Sequence, residues 1–311
     1  MSELTPIILD VDTGTDDALA LAYAIASPQI ELVAVTTVAG NVDVETATAN
    51  TLAVLDWLGA STVPVHRGAS KPLARPLVNA AYFHDEGGLG GARLPASQRS
   101  IAADRGPAAI IRLSRERPGQ LTLVAVGPLT NVAIALNVEP RLTEFLKAVV
   151  VMGGAFTVPG NVIDAAEFNI HVDPEAADQV FSAPFAQLTA VGLDVTNQVA
   201  LAKEDWFAAN ERDDLPISAS LLAEVGRFAF RTLGVERFEL HDPLAVAVAI
   251  RPDLLRIEHA AVEVKRNDSE RGRTQMVGPG TVQVAVSVKR ERALEDFRLT
   301  VGLPTPEKRE S

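Results

Sequence analysis

Short, nearly continuous apolar runs alternate along the chain with longer segments of helical, amphipathic pattern. The runs that predict strands are residues 6–11 (PIILDV), 30–38 (IELVAVTTV), 121–126 (LTLVAV), 148–152 (AVVVM), 258–264 and 281–289. The segments that predict helices are residues 16–27 and 44–58, one starting near Thr130, one after Asp173-Pro174, and one near 290–300. Strands that are apolar on both faces are typical of parallel sheets covered by helices, so the pattern predicts an α/β fold.

The 311 residues show no low-complexity linker and no internal repeat. We therefore expect a single domain over residues 1–311, with a mostly parallel but mixed sheet flanked by helices. Residues 78–105 are rich in Gly and Ala and only weakly patterned. Long loops in compact domains are usually functional or disordered, so this segment is expected to be a loop near the functional site.

Composition narrows the classes of partner. Lys and Arg number 28 against 40 Asp and Glu, a formal net charge of -12, which argues against nucleic acid or an anionic membrane as partner. The absence of Cys excludes disulfides, zinc thiolate sites and thiol nucleophiles. No apolar run approaches the ~18 residues of a membrane span, and the N-terminus lacks the features of a signal peptide, so a cytoplasmic location is expected.

Four carboxylates lie within eight residues at the end of the first predicted strand, in the order Asp10, Asp12, Asp16 and Asp17. In doubly wound sheets ligands bind at this end of the strands. A buried cluster of like charges must be neutralised, and no Lys or Arg precedes Arg67 in the chain. The lack of a basic partner nearby in the sequence favours a metal ion, and oxygen-only ligands favour calcium or magnesium. The simpler interpretation, that Asp16 and Asp17 only cap a helix, does not account for all four acids.

Other acidic or phosphate-binding motifs match the loop less well. An EF-hand loop needs Gly and Glu where this chain has Thr15 and Leu21. No P-loop follows a predicted strand. A haloacid-dehalogenase-type phosphatase begins with Asp-x-Asp-x-Thr, which Asp10 and Asp12 start to match, but the fifth position is Gly14 and its later lysine and acidic pair are missing. This phosphatase stays open as an alternative.

The acidic loop resembles the Asp-x-Asp-x-Gly-x-Asp-Asp signature of the nucleoside hydrolases, the inosine-uridine preferring N-ribohydrolase family. Other stretches agree with that family in order along the chain. They are Val38-Ala-Gly-Asn41, Gly127-Pro-Leu-Thr-Asn131, Met152-Gly-Gly154, Gly160-Asn161, Ala166-Glu-Phe-Asn169, Asp173-Pro-Glu-Ala176 and His241-Asp242-Pro243. Because six or more motifs in register are highly specific, the resemblance implies a Rossmann-like nucleoside hydrolase fold and hydrolysis of ribonucleosides to free base and ribose.

The resemblance implies a bound Ca²⁺. Its protein ligands would be the side chains of Asp12, Asp17 and Asp242 and the backbone carbonyl of Val126. Asp12 would also be the general base that activates water, and His241 would donate a proton to the departing base. A neutral, structural role for His241 is the alternative. Asp10 is expected to orient the loop, and Asp173 to cap a helix, as are Thr130 and Asn131.

The resemblance also implies a set of residues that contact the nucleoside. Asp16 and Asn169 would hold the 2′ and 3′ side of the ribose, Asn161 and Glu167 its 5′-hydroxyl. Asn41 would also bind the sugar, Met152 would lie against it, and His84 would contact the base. Family members often carry Tyr or Trp against the base, where this chain has Phe228 and Phe230, which can stack but cannot donate a hydrogen bond. The preferred base therefore stays open.

The resemblance further implies a homodimer or homotetramer and a place in purine or pyrimidine salvage. A non-catalytic protein that binds nucleosides or ribose is the other functional alternative. The full set of acids argues against it, because a binding protein would not need every catalytic carboxylate.

Overall fold

The computed structural model describes residues 4–80, 85, 87–212 and 214–303. Its central feature is an eight-stranded sheet in the order β3-β2-β1-β4-β5-β6-β10-β9. The strands of this sheet are β1 (Thr5–Val11), β2 (Ile30–Thr37), β3 (Val65–Arg67), β4 (Thr122–Ala125), β5 (Ala148–Met152), β6 (Leu188–Val191), β9 (Leu255–Val264) and β10 (Thr274–Val288). All neighbours pair in parallel except β9 and β10, which pair antiparallel, so the sheet is mixed.

Alternation along β1 shows how the sheet divides the core. Ile7, Leu9 and Val11 belong to one cluster of buried side chains, whereas Ile8 belongs to a second cluster. Successive side chains of a strand point to opposite faces, so each cluster is the core between the sheet and one helical layer. The fold is therefore a single α/β domain of three layers, and β1, an inner strand of the sheet, carries the acidic loop at its carboxyl end.

Helices cover both faces of the sheet. One face carries helix 15–26, which packs on helices 217–225, 241–250 and 290–301; the other carries helices 106–116, 130–138 and 174–182. The α-helices are Thr15–Ala26, Val44–Trp57, Gly106–Glu116, Thr130–Val138, Leu142–Phe145, Phe168–Val172, Pro174–Ser182, Leu193–Thr196, Lys203–Asn210, Ile217–Val225, His241–Ile250 and Arg290–Val301. A π-helical turn spans Phe228–Leu233 and a 3-10 turn Pro252–Leu254.

A two-stranded antiparallel ribbon lies outside the main sheet. It consists of β7 (Ala200–Ala202) and β8 (Arg237–Glu239), and Ala200 pairs with Glu239. The chain passes from β8 through Leu240, whose N–H donates to the Val199 carbonyl at 2.8 Å, directly into helix 241–250. The ribbon thus fixes the start of that helix, at His241.

The predicted α/β class, the mixed sheet and its flanking helices are confirmed. Each strand and helix predicted from the pattern is present, with ends that differ by up to three residues, except that β10 begins at Thr274, seven residues before its predicted start. The described part of 78–105 contains neither helix nor strand. The short strands β3, β6, β7 and β8 had no prediction, because three or four residues carry too little periodicity. No helix among the described residues is long and apolar enough to cross a membrane.

Candidate functional site

Several strands end at the same edge of the sheet, and the residues that follow them line one cavity. Its volume is about 280 Å³, near the lower end of roughly 300–1,000 Å³ that small-molecule sites occupy. Parallel strands bring their carboxyl ends together, which is why motifs far apart in sequence meet here. The lining residues are Asp16, Asn41, Ala80, Val126, Met152, Asn161, Glu167, Phe168, Asn169, Asn197, Glu239, His241 and Asp242.

The acidic loop is folded by its own carboxylates. Asp17 accepts hydrogen bonds from the N–H groups of Asp12 at 3.1 Å and Gly14 at 2.8 Å, and from the side-chain amide of Asn41 at 3.2 Å. One oxygen of Asp12, Oδ2, accepts from the Asn41 N–H at 2.6 Å. The loop after β1 and the segment after β2 are therefore joined through these two carboxylates.

Two glycines allow the backbone to approach Asp12. A Cβ at Gly40 would lie 2.1 Å from Asp12 Oδ2 and 2.7 Å from a Pro128 carbon. A Cβ at Gly127 would lie 2.9 Å from Asp12 Oδ1. Any side chain at these positions would displace the carboxylate, so the glycines in Val38-Ala-Gly-Asn41 and Gly127-Pro128 are explained by close packing.

Asp16, Asp17 and Asp242 form a group that could hold a metal ion. Each offers one carboxylate oxygen, and the three oxygens lie within 4.8 Å of one another. Asp12 Oδ1 is buried and has no hydrogen-bond partner among the described residues. A buried carboxylate oxygen without a donor is costly, and a cation would satisfy it. The donor set is oxygen only, which fits Ca²⁺ or Mg²⁺.

The electrostatics of the carboxylates favour the binding of a cation. Burial raises the pKa of Asp12 well above its usual range, and the Asp17 carboxylate raises it further. Burial, then the charge of Asp16, raises the pKa of Asp17 to about 7 against hydrogen bonds that lower it. Burial likewise raises the pKa of Asp242, and Asp16, Asp17 and Asp12 add to the effect. Among the described residues, no Lys or Arg forms an ion pair with any of these four acids.

The remaining acid of the loop, Asp10, lies beneath the site rather than in the cavity lining. Its carboxylate accepts from the Thr36 hydroxyl and from Asn131 Nδ2, the latter at 2.7 Å. Burial raises the pKa of Asp10 to about 7, although these hydrogen bonds lower it. Asn131 also donates to the Thr37 carbonyl at 2.9 Å and accepts from the Ala69 N–H at 2.8 Å.

This network corrects the capping roles predicted for Thr130 and Asn131. Neither side chain caps helix 130–138, because Leu129 is its N-cap and makes no side-chain hydrogen bond there. The Thr130 hydroxyl donates to Asp173 at 2.7 Å. Asp173 itself caps helix 174–182 through the Ala176 N–H at 3.1 Å, as predicted.

A second polar group is organised by Glu167, which is both a cavity residue and the N-cap of helix 168–172. Its carboxylate accepts from the N–H groups of Asn169, Gly154 and Ile170 at 2.8, 3.1 and 3.2 Å. Burial raises its pKa to about 7, and these donors lower it. Asn161 Oδ1 accepts from the Phe168 N–H at 2.9 Å, so both predicted sugar-binding residues are anchored at the start of one short helix.

Asn169 connects the ends of two strands. Its side-chain amide donates to the Val126 carbonyl at 2.7 Å and to the Met152 carbonyl at 3.2 Å. The predicted metal ligand Val126 is therefore not free of hydrogen bonds, but a carbonyl oxygen has a second lone pair. Met152 is buried and lines the cavity beside this amide.

His241 begins the helix that carries Asp242. Its Nδ1 lies 2.7 Å from the Thr196 hydroxyl, which fixes the ring and leaves Nε2 as the second nitrogen. Burial lowers its pKa, and the charges of Asp16 and Glu239 oppose that effect. The His241 ring therefore shares the cavity with the carboxylates of Asp16, Glu239 and Asp242.

The structure does not bring every predicted residue to the cavity. Phe230 is buried against the rings of Trp206 and Phe238, at centroid distances of 5.5 and 6.3 Å, because the π-helical turn directs it into the core. Phe228 is half-buried near Gly90 and does not belong to the described lining. His84 lies outside the described residues.

Four lining residues were not among the predicted site residues, although one of them, Ala80, lies in segment 78–105, the loop expected near the site. They are Ala80, Phe168, Asn197 and Glu239. Phe168 lies inside the motif that carries Glu167 and Asn169, so its place in the cavity could have been predicted. Glu239 belongs to β8 and Asn197 follows the four-residue helix 193–196, and elements this short give no pattern to recognise.

Comparison with known proteins shows one protein family over nearly the whole chain. Residues 7–295 match the family model described as inosine-uridine preferring nucleoside hydrolase. The inosine-uridine preferring nucleoside hydrolase of Crithidia fasciculata is 37% identical over 265 residues, 83% of each chain. The pyrimidine-specific ribonucleoside hydrolase RihA of Salmonella paratyphi B is 40% identical over 256 residues, 80% of each chain.

Solved structures give the same result for the whole fold. A plant nucleoside hydrolase superposes with a TM-score of 0.90 at 33% identity, covering 96% of this chain and 99% of its own.

Proposed function

The chain belongs to the inosine-uridine preferring nucleoside hydrolase family, enzymes that cleave N-glycosidic bonds, and from this we propose a Ca²⁺-dependent reaction at the cavity described above. The proposed reaction is hydrolysis of a ribonucleoside to free base and ribose. The observation that carries the proposal is the close group of Asp16, Asp17 and Asp242, two of which line the cavity, together with an unsatisfied oxygen on Asp12 and no basic partner among the described residues.

Ca²⁺ would be held by the carboxylates of Asp12, Asp17 and Asp242 and by the Val126 carbonyl. Oxygen ligands of this kind favour a hard cation, and Ca²⁺ accepts the irregular geometry that backbone and side-chain oxygens give together. When bound, the ion would supply the positive charge that orients sugar hydroxyls and acidifies water. Asp16 lies within reach of the same centre and is proposed to hold the 2′ and 3′ side of the ribose together with Asn169 and Asn41.

The sugar would be fixed by groups already held in place. Asn161 and Glu167 are proposed to bind the 5′-hydroxyl, and Met152 to lie against the ring. Because the backbone already anchors Asn161 and Glu167, they lose little freedom on binding. A site built to pair with hydroxyls rejects analogues that lack them, since its own polar groups would be left unsatisfied.

Asp12 and His241 are proposed as the base and acid of the reaction. Bond cleavage develops positive charge on the ribosyl ring, as in other glycoside hydrolysis, and the surrounding carboxylates stabilise it. Asp12 would take a proton from the attacking water. His241 would give a proton to the departing base from Nε2, since Nδ1 already contacts Thr196.

Ribose release tests the proposal. The protein is freed of metal, Ca²⁺ is added back, and free ribose is measured with inosine, uridine, cytidine, adenosine and guanosine. We expect release that depends on Ca²⁺, and a loss of several orders of magnitude in kcat for Asp12→Ala with an unchanged circular dichroism spectrum. No ribose from any of the five nucleosides would refute the function, and near-normal turnover of Asp12→Ala would remove Asp12 as the base.

The proposal extends to the metabolic role and the oligomeric state of the protein. Free base and ribose are reusable products, which supports a role in nucleoside salvage. The predicted homodimer or homotetramer is tested by light scattering, where a mass of one chain would contradict it.

A further inference from the structure

Two polar side chains in the cavity take no part in the proposed chemistry of the metal or the sugar. They are Glu239 and Asn197, and both line the cavity together with His241. Neither comes from the strand ends that carry the acids and amides of the sugar side. Glu239 is the last residue of β8, and Asn197 follows helix 193–196 just before β7.

The ribbon of β7 and β8 directs Glu239 towards the cavity. Phe238, its neighbour in β8, is buried against Phe230, and successive side chains of a strand point to opposite sides. Glu239 and Arg237 therefore share the other side, where Arg237 Nε donates to Glu239 Oε1 at 2.9 Å. The described residues place no hydrogen bond on the second carboxylate oxygen, so it can accept one from a ligand.

Asn197 offers the complementary groups. It is half-buried, and its side chain forms no hydrogen bond with the described residues. A side-chain amide can both donate and accept, whereas an ionised carboxylate only accepts. The pair can therefore receive an N–H and also contact a carbonyl on the same ligand edge.

The position of the pair indicates which part of the substrate it meets. Glu239 lies two residues before His241, and Asn197 directly follows Thr196, whose hydroxyl lies 2.7 Å from His241 Nδ1, so the pair flanks the His241 ring. His241 is the proposed proton donor to the departing base, so groups beside it face the base and not the sugar. This step rests on the proposed function.

We propose that Glu239 is a specificity residue that accepts a hydrogen bond from a base N–H, assisted by Asn197. The favoured substrates are then ribonucleosides whose base offers a ring N–H beside a carbonyl, such as inosine or uridine. A substrate without that N–H leaves the carboxylate oxygen unsatisfied inside the cavity, which is costly. A hydrogen bond to a charged group corresponds to about a ten- to hundredfold change in kcat/KM.

Substrate methylation combined with substitution tests this proposal. kcat/KM is measured for inosine against 1-methylinosine and for uridine against 3-methyluridine, with wild type, Glu239→Ala and the control Glu236→Ala. Glu236 is a nearby exposed acid that pairs with Lys203 and does not belong to the described lining. p-Nitrophenyl β-D-ribofuranoside, whose leaving group has no N–H, reports on the ribose side alone.

Wild type and Glu236→Ala should both prefer the unmethylated nucleoside by about ten- to hundredfold. In Glu239→Ala this ratio should fall to within about threefold, because the substitution removes the acceptor and makes room for the methyl group. All three proteins should cleave p-nitrophenyl riboside equally well.

Three results would overturn the inference. The first is a methylation ratio in Glu239→Ala that equals that of wild type, and the second is a wild type that does not discriminate. The third is an equal loss of kcat/KM in Glu239→Ala on every substrate, p-nitrophenyl riboside included. That result would show that Glu239 only supports the ribbon through Arg237. A wild type that cleaves neither nucleosides nor the riboside would instead refute the proposed function, and this inference with it.

Discussion

Replacing Asp242 by Asn separates the stability of the site from its activity. Asp242 is 2% exposed, and its carboxylate forms no hydrogen bond with the described residues. Asp242→Asn therefore keeps the shape of the side chain, breaks no hydrogen bond of the protein and removes one buried negative charge. We expect the metal-free protein to become more stable and to lose its affinity for Ca²⁺.

The size of the expected gain in stability follows from the spacing of the carboxylates. Oxygens of Asp16 and Asp17 lie within 4.8 Å of an Asp242 oxygen. At an effective dielectric constant near 20, two unit charges at that distance repel by roughly 3.5 kcal/mol. Protonation relieves part of this repulsion, because burial raises the pKa of Asp242 and of Asp17. We therefore expect a gain of about 1–3 kcal/mol, or roughly 2–6 °C in Tm at about 2 °C per kcal/mol.

Thermal unfolding at pH 8 with and without Ca²⁺ measures both effects. Ca²⁺ at a hundred times its Kd should stabilise wild type by about 2.7 kcal/mol, and the variant by much less. Asp268→Asn is the matched control, since Asp268 is 97% exposed and its loss leaves the buried cluster unchanged. Its melting temperatures should follow those of wild type.

Two results would refute this reasoning. A lower Tm of metal-free Asp242→Asn would show that the carboxylates do not repel one another in the fold. Equal stabilisation of wild type and variant by Ca²⁺ would show that Asp242 does not bind the ion.

Three further predictions follow from the geometry. Gly40→Ala should lower Ca²⁺ affinity at least tenfold in calorimetry, because its Cβ would lie 2.1 Å from Asp12 Oδ2; unchanged affinity would contradict the packing argument. Thr196→Val removes the hydrogen bond that orients His241, so it should lower kcat for nucleosides about tenfold and leave p-nitrophenyl riboside cleavage nearly unchanged. Equal losses of kcat on nucleosides and on the riboside would contradict this role of Thr196. Folding raises the pKa of Asp17 and Glu167 to about 7, so the folded metal-free chain keeps protons that the unfolded chain releases near pH 4. Its Tm should therefore fall as pH rises from about 5 to 8, and a rising Tm would contradict the assignment.

The residues predicted to bind the sugar and the metal could be grouped from the sequence because most of them follow strand ends. Asp12 follows β1, Asn41 follows β2, Val126 follows β4 and Met152 ends β5. Parallel order places all of these ends at one edge, so recognising the strands is enough to bring the residues together. Short polar motifs after apolar runs carry this information directly.

The base side could not be predicted in the same way. Glu239 lies on a three-residue strand and Asn197 follows a four-residue helix, and their approach to His241 depends on tertiary packing. Phe230 is the reverse case, a residue that the sequence suggested for the site and that the structure places in the core. Its aromatic ring suggested stacking on a base, but it packs against Trp206 and Phe238. Local pattern does not distinguish these two environments.

Anomalous X-ray scattering from a crystal grown with Ca²⁺ tests the central claim most directly. We expect one strong peak between the carboxylates of Asp12, Asp17 and Asp242, with oxygen ligands at roughly 2.3–2.6 Å and the Val126 carbonyl among them. No peak at this position, with the Asp242 carboxylate turned away and water between the acids, would contradict the account.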